Sequence, residues 1–257
     1  MLCFAAIIPH PPILIPNIGK DKLPELEKTK RAFLLLEQDL YLAKPHTIII
    51  ISPHIGLYDD SFAVNAHTHF VSKFSEFGDL TTRKEWPGAP DLAAKIAHAS
   101  HGTNTSIQLT SVEELDHGAT VPLYYLTDHL LDVKVLPLGF SRLSASDHVL
   151  YGELLGNIIM ESDKRIAVVA SGDLSHGLDE AGTDAKKQFD EDLRRLITNR
   201  SIGSIMALEN EAAAADECGY RSILILLGIL KNMDYRFTTH AYEHPFGVGY
   251  LTGSFSF

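Results

Sequence analysis

The stretch Thr47–His54, which reads TIIIISPH, decides the fold of this chain. In an extended segment, its four consecutive isoleucines would place apolar side chains on both faces, so we predict a strand that is buried on both faces. Strands of this kind occur in parallel sheets that helices cover from both sides. Similar short apolar runs at Leu2–Ile8, Val133–Leu138 and Arg165–Ala170 predict further strands of the same sheet.

Longer amphipathic segments alternate with these runs. From Lys22 to Leu42, apolar residues recur at helical spacing among charges. Further helices are predicted over 90–99, 119–130, 145–161, 184–199 and 219–230, and two strands, 235–242 and 248–255, end the sequence. The pattern indicates an α/β fold, with a mostly parallel central sheet covered by helices on both faces. No change of composition marks a linker, so we expect one domain over residues 1–257.

The composition argues against several classes of protein. The net charge of −11, from 33 acidic and 22 basic side chains, opposes binding to nucleic acid. No apolar run approaches the roughly 20 residues that span a bilayer. No basic residue precedes the apolar start, as a signal peptide would require. The two cysteines, Cys3 and Cys218, lie far apart and suit a reducing compartment. We therefore expect a cytoplasmic protein without a membrane or nucleic-acid partner.

Side chains that bind metals or protons follow four of the predicted strands. His10 follows the first strand and His54 the second, while His176 and Glu243 follow two later ones. Ligands of open α/β sheets bind beyond the carboxyl ends of the strands, so these side chains are expected to meet at one edge. Two imidazoles and one carboxylate form the ligand set of non-haem iron(II) enzymes, and the same set also suits catalytic zinc.

His176 ends the polar loop Ser171–His176, which reads SGDLSH. We expect Ser171, Asp173 and Ser175 to hold the His176 ring in one tautomer. An imidazole that lies near a metal without binding it can transfer protons during a reaction. The sequence therefore predicts His176 as a catalytic acid/base.

Five sequence strings together resemble the LigB superfamily, whose characterised members are class III extradiol ring-cleaving dioxygenases. The similarity runs in the same order from Leu2 to Phe255, and its nearest branch is the LigB-like domain of AmmeMemoRadiSam system proteins, related to the eukaryotic Memo protein. The strings are Pro9–Pro12 (PHPP), Ser52–His54 (SPH), Leu115–Gly118 (LDHG), Ser171–His176 (SGDLSH) and Tyr242–Tyr250 (YEHPFGVGY).

The resemblance implies roles for five residues. His10, His54 and Glu243 would hold iron(II), His176 would be the acid/base, and His117 a second active-site histidine that contacts substrate or donates a proton. The implied reaction is extradiol cleavage of a catechol-type ring by O₂. The expected partners are a small aromatic diol, O₂, a second copy in a homodimer, and other proteins of the AmmeMemoRadiSam system.

Several alternatives remain open at this point. The same metal site suits a zinc-dependent hydrolase, and a Memo-like protein would use the pocket to bind a peptide or protein without catalysis. The segment Asp116–Gly118 also fits a helix-capping turn. Cys218 has no evident base nearby and is expected to be buried rather than reactive. Arg221 suits either a substrate carboxylate or a structural ion pair, and the charges between Lys22 and Lys44 are expected to form a solvated helix face.

Overall fold

The four isoleucines of the second strand lie at the centre of an eight-stranded sheet. The computed structural model describes residues 1–257. The strands are β1 (Leu2–Ile8), β2 (Thr47–Ser52), β3 (Phe62–Asn65), β4 (His69–Ser72), β5 (Glu85–Pro87), β6 (Ile107–Thr110), β7 (Glu114–Leu115), β8 (Lys134–Gly139), β9 (Ile166–Ser171), β10 (Arg236–Glu243) and β11 (Tyr250–Ser256). The helices are α1 (Pro16–Gly19), α2 (Glu27–Ala43), α3 (Pro90–Ser100), α4 (His117–Leu126), α5 (Ala145–Met160), α6 (Asp184–Thr198), α7 (Ile202–Met206), α8 (Glu209–Ala215) and α9 (Tyr220–Ile229).

The large sheet has a parallel centre and antiparallel pairings on either side of it. Its strand order is β10-β11-β1-β9-β2-β8-β3-β6, and the four strands β1, β9, β2 and β8 run parallel. Strand β11 runs antiparallel to both of its neighbours, β1 and β10, whereas β3 runs antiparallel to β8 and parallel to the edge strand β6. A second, three-stranded sheet has the order β5-β4-β7. The predicted mostly parallel sheet is therefore confirmed, and the carboxyl ends of its four central strands share one edge.

Alternate residues of β2 enter two different apolar cores. Ile49 and Ile51 belong to the core that also contains residues of α5 and α9, whereas Ile48 and Ile50 belong to the core with α2 and α4. All four side chains are fully buried. The sheet is thus covered by helices on both faces, as the predicted α/β class requires. No helix is both long enough and apolar enough to span a membrane.

Several element boundaries differ from the sequence prediction. The helix predicted from Lys22 begins at Glu27, after a 3₁₀ segment at Lys20–Leu26 that contains Pro24, because proline cannot donate the backbone hydrogen bond of a helix interior. The segment from Phe62 to Ser72 forms two short strands, β3 and β4, which belong to different sheets. The short α8, which reads ENEAAAA, escaped prediction because its alanines show no apolar periodicity.

Candidate metal centre

Two histidine side chains meet where β1 and β2 end. His10 lies two residues beyond β1 and His54 two residues beyond β2, and β9 separates these strands in the sheet. The Nε2 atoms of the two rings are 3.2 Å apart. His10 is buried, with 2% of its surface exposed, whereas His54 is open to solvent. The expected convergence of these two residues is therefore present, in a site that solvent reaches from the side of His54.

Hydrogen bonds fix which nitrogen of His10 is free. The Ser171 hydroxyl donates its one hydrogen to the carbonyl oxygen of Gly118, at 2.5 Å. Its oxygen can then only accept from Nδ1 of His10, which lies 2.9 Å away. With the ring proton on Nδ1, the Nε2 atom presents a lone pair toward His54. In histidines that bind metals, the ring nitrogen that does not bind the metal typically donates to a fixed acceptor in this way.

His117 is the third imidazole of the site. Ligand atoms of His10, His54 and His117 all lie within 4.8 Å of one another. The His117 ring stacks on His54, with 4.3 Å between ring centroids. Asp116 positions it, since this carboxylate caps α4 by accepting from Ala119 N at 3.1 Å and also accepts from the Ser52 hydroxyl at 2.6 Å. The segment therefore caps a helix, as one interpretation predicted, and it also places His117 beside His10 and His54; the role of His117 in a reaction stays a prediction.

A second group of ligand atoms shares His10. Asp173 Oδ1 accepts from the backbone N–H of His10 at 2.8 Å, and the Sγ atom of Cys218 lies 3.7 Å from His10 Nε2. Atoms of these three side chains lie within 4.8 Å of one another. The backbone N–H groups of Cys218 and Gly219 both donate to Asp173 O, at 3.2 and 2.9 Å, and hold the cysteine beside the loop after β9.

Glu243 lies outside both groups. It ends β10, which is two strands removed from β1, and its Oε1 atom accepts from the backbone N–H and the hydroxyl of Thr29 at 2.8 and 2.6 Å. The structure therefore does not assemble the expected trio of His10, His54 and Glu243. The physical reason is that the N-terminal turn of α2 offers two donors to this carboxylate.

His176 is held by its backbone close to the site. Its N–H donates to Ala215 O at 3.0 Å, and Lys186 Nζ donates to its carbonyl oxygen at 2.7 Å. Its ring is not in either ligand group, although its charge contributes to the pKa shifts of His10 and Asp173. Nδ1 of His176 is buried without a hydrogen-bond partner. No hydrogen bond within the chain therefore occupies this ring nitrogen.

The expected partners of the His176 ring have other roles. Ser171 binds His10, and Asp173 also contacts His10. Ser175 donates from both its N–H and its hydroxyl to the buried Asp190. The prediction that these three residues fix the His176 tautomer was wrong, because their side chains leave the loop toward other elements.

Burial controls the protonation of the site. Burial, followed by the neighbouring positive charge of His54, lowers the pKa of His10 well below its usual value, and burial also lowers the pKa of His117. Burial raises the pKa of Asp173 to about 6 and raises the pKa of the Cys218 thiol. His10 and His117 are therefore neutral at pH 7, which is the form that binds a metal, and a bound cation would favour the Cys218 thiolate.

Cys218 is the site residue that sequence reasoning missed. It was expected to be buried and inert, yet its sulfur faces His10. One feature of the sequence could have indicated this position. Cys218 directly precedes Gly219, the N-cap of α9, and the segment before this helix lies at the sheet edge that also holds the histidines. Arg221, three residues after Cys218, makes no ion pair; its Nε atom is buried without a partner and its guanidinium lies 5.9 Å from the centroid of the Phe140 ring.

Comparison with known proteins relates the chain to ring-opening dioxygenases. Residues 4–253 match the family model described as the catalytic LigB subunit of aromatic ring-opening dioxygenase. Protein CA_C1420 of Clostridium acetobutylicum is 29% identical over 95% of this chain and 55% of its own length. A 2,3-dihydroxyphenylpropionate/2,3-dihydroxicinnamic acid 1,2-dioxygenase of Mycobacterium ulcerans is 26% identical over 65% of this chain and 54% of its own length. The chain thus spans about half the length of these curated relatives.

A solved structure supports the fold. The crystal structure of the uncharacterized protein JW3007 from Escherichia coli K12 superimposes with a TM-score of 0.71. The superposition covers 98% of this chain and 99% of that protein, at 18% sequence identity. At this identity, the likeness concerns the fold alone.

Proposed function

Since the chain belongs to the LigB family of aromatic ring-opening dioxygenase subunits, we propose that it is an iron(II)-dependent extradiol dioxygenase of dihydroxylated aromatic compounds. The observation that carries the proposal is the 3.2 Å approach of the His10 and His54 Nε2 atoms. Two imidazole Nε2 atoms at this distance either share one hydrogen or bind one metal ion between them. The tie of His10 Nδ1 to Ser171 leaves its Nε2 lone pair aimed at that position.

We assign His10 and His54 as two protein ligands and Cys218 as the third. This replaces the carboxylate of Glu243, which is bound to Thr29, with a sulfur 3.7 Å from His10 Nε2. Histidine and thiolate ligands both bind iron(II) and zinc. When bound, iron(II) supplies a centre that chelates both oxygens of a diol and transfers electron density to O₂.

We assign the proton transfers to His176 and His117. The unpartnered Nδ1 of His176 accepts the proton that a diol hydroxyl loses on binding, and His117 borders the same space beside His54. The edge of the Phe77 ring contacts His117, with 5.1 Å between centroids, and gives the site an apolar wall for an aromatic ring. In the overall reaction both atoms of O₂ enter the ring-opened product, so no external reductant is needed.

We assign to Arg221 the role of binding a carboxylate on the side chain of the substrate. The relatives named as dioxygenases act on 2,3-dihydroxyphenylpropionate, which carries such a group. Arg221 forms no ion pair within the chain, and it follows the proposed ligand Cys218 by three residues in the sequence. Membership of the AmmeMemoRadiSam branch, partner proteins of that system and a cytoplasmic location stay predictions.

The experiment is anaerobic purification, loading with iron(II), and measurement of O₂ uptake with catechol and with 3-(2,3-dihydroxyphenyl)propionate. The proposal predicts stoichiometric O₂ uptake and a coloured ring-opened product. The variant H10A should lose iron, whereas H176A should keep iron and lose turnover roughly 100-fold or more. An iron-loaded protein that neither binds nor oxidises any diol would contradict the proposal.

A zinc-dependent hydrolase is the second candidate, and Cys218 is the observation that favours it. Zinc binds both histidine and cysteine, and a catalytic zinc site with three protein ligands leaves its fourth position open for water. Metal analysis of the purified protein separates the two functions. Retained zinc, with ester or amide hydrolysis that a chelator abolishes and zinc restores, would replace the dioxygenase proposal.

A further inference from the structure

Helix α2 presents apolar side chains on two opposite faces. Its inner face, with Phe33, Leu36 and Leu40, is fully buried against the sheet. Its outer face was expected to consist of solvated charges, but large apolar side chains interrupt those charges. We call them, with the glutamine between them, the outer stripe: Leu34, Leu35, Gln38, Tyr41 and Leu42. A helix that only contacts solvent on this side does not need such a stripe.

The outer stripe is strongly exposed and extends onto a neighbouring segment. Leu42 is 74% exposed, and Leu34, Leu35 and Tyr41 are each about half exposed. Leu131, which is 87% exposed, lies across a groove of about 680 Å³ that Tyr41 and Leu42 also line.

Internal contacts hold this neighbouring segment against α2. His129 Nδ1 lies 2.9 Å from a Glu37 oxygen, and the His129 ring contacts Tyr41 edge to face. The stripe and Leu131 thus form one continuous surface that is fixed before any partner binds.

We propose that this surface binds a second copy of the same chain, with the two α2 helices antiparallel. Leu34 and Tyr41 are seven residues apart, as are Leu35 and Leu42, and seven residues span nearly two helical turns. A twofold axis at Gln38 therefore sets Leu34 against Tyr41 of the second copy and Leu35 against its Leu42. The stripe is complementary to itself, as the interface of a symmetric dimer must be.

The charges of α2 favour the antiparallel arrangement. Lys28, Lys30 and Arg31 outnumber Glu27 in its N-terminal half, whereas the exposed Asp39 lies in its C-terminal half, where Glu37 is buried beside His129. Antiparallel pairing directs the basic half toward the acidic half and the C-terminal end of the other helix, where the helix dipole is negative. Neither Lys28 nor Asp39 has an ion-pair partner within the chain, so both are available for a second copy.

The apolar area is sufficient for a weak to moderate dimer. With ~200 Å² for each large side chain, the four apolar residues of the stripe and Leu131 expose roughly 600 Å². A standard interface buries about 800 Å² on each partner, and the polar side chains at the margins of the stripe add to the apolar part. A patch of this size is at the upper limit of what monomers expose.

The test is sedimentation velocity of the full chain from low to high micromolar concentration. The wild type should dimerise with a micromolar Kd, and L35E and L42E should each raise that Kd roughly 100-fold or more. The variant L150E is the control, because Leu150 is 51% exposed on α5, outside the stripe, and its substitution should leave dimerisation unchanged. Circular dichroism establishes that each variant is folded.

Oxidative cross-linking tests the register. In Q38C, the two introduced thiols face each other across the twofold axis, so mild oxidation should convert most of the protein to a covalent dimer. The variant S146C, at an exposed position of α5, should remain monomeric under the same conditions. A wild type that stays monomeric at high micromolar concentration would overturn the proposal, as would dimerisation unaffected by L35E and L42E. An uncross-linked Q38C dimer would overturn the antiparallel register.

Discussion

Replacement of Ser171 by alanine tests how the protein prepares His10 for a metal. The hydroxyl accepts from His10 Nδ1 at 2.9 Å and donates to Gly118 O at 2.5 Å. Without it, the proton of His10 is free to move to Nε2, where it blocks the nitrogen that we assign to the metal. Ser171 is fully buried, and the space left by one hydroxyl group is too small to hold a water molecule that could take over its hydrogen bonds.

The expected magnitude follows from these two bonds. Loss of an outer hydrogen bond to a metal-binding histidine typically weakens metal affinity roughly 10- to 100-fold, or about 1.4–2.7 kcal/mol. The buried Nδ1 and the Gly118 carbonyl oxygen also lose a partner, which lowers the free energy of unfolding of the metal-free protein by about 1–3 kcal/mol. S171A should therefore affect both metal affinity and stability.

The assay is a competition titration of zinc(II) or iron(II) against a chelator, combined with chemical denaturation of the metal-free protein. S222A is a matched control, since Ser222 is also fully buried but its hydroxyl has no hydrogen-bond partner. This control should keep the wild-type metal affinity and at least the wild-type stability. If S171A binds metal as tightly as the wild type, the argument that Ser171 sets the His10 tautomer is refuted.

Three other predictions concern the third ligand, stability against pH, and the loop of the acid/base. C218S should lose most of its bound metal in elemental analysis, whereas E243A should retain it; the reverse result would restore the carboxylate as the third ligand. Burial lowers the pKa of His148 to about 4, so the unfolded chain takes up its proton first as pH falls below about 6.5. The free energy of unfolding should therefore fall by roughly 3 kcal/mol between pH 6.5 and pH 4 because of this group. Chemical denaturation should show a smaller fall in H148Q, whereas the variant H101Q, at an exposed position, should show the same fall as the wild type. D190A removes the acceptor of the buried Ser175 N–H and of the partly buried Tyr242 hydroxyl, while the Ser175 hydroxyl can still donate to Lys186 O, so it should lower the free energy of unfolding by about 1–3 kcal/mol; an unchanged denaturation midpoint would contradict this role.

The fold was predictable because its signal is local. Four consecutive isoleucines in a strand are all buried only where both faces of the strand are covered, and alternate isoleucines of β2 do pack into the two opposite cores. The carboxyl-edge rule for open α/β sheets likewise predicted the approach of His10 and His54, which follow neighbouring parts of the same parallel region. These inferences need only the strand assignment and the direction of the chain.

The third ligand that we propose was not predictable in the same way. The end of a strand determines where the backbone of a residue lies, but not which hydrogen-bond donors surround its side chain. Thr29, on a helix more than 200 residues earlier in the sequence, offers two donors to Glu243, and no pattern near Glu243 indicates this competition. Cys218 reaches His10 because the loop before α9 is bonded to Asp173, a contact between distant segments. Such choices depend on tertiary packing.

Anomalous X-ray diffraction from a crystal of the metal-loaded protein tests the central claim most directly. We predict one anomalous peak per chain, at about 2.0–2.3 Å from Nε2 of both His10 and His54, as expected for metal–imidazole bonds. A stoichiometrically loaded protein whose peak lies elsewhere, or contacts only one of these histidines, would contradict the claim.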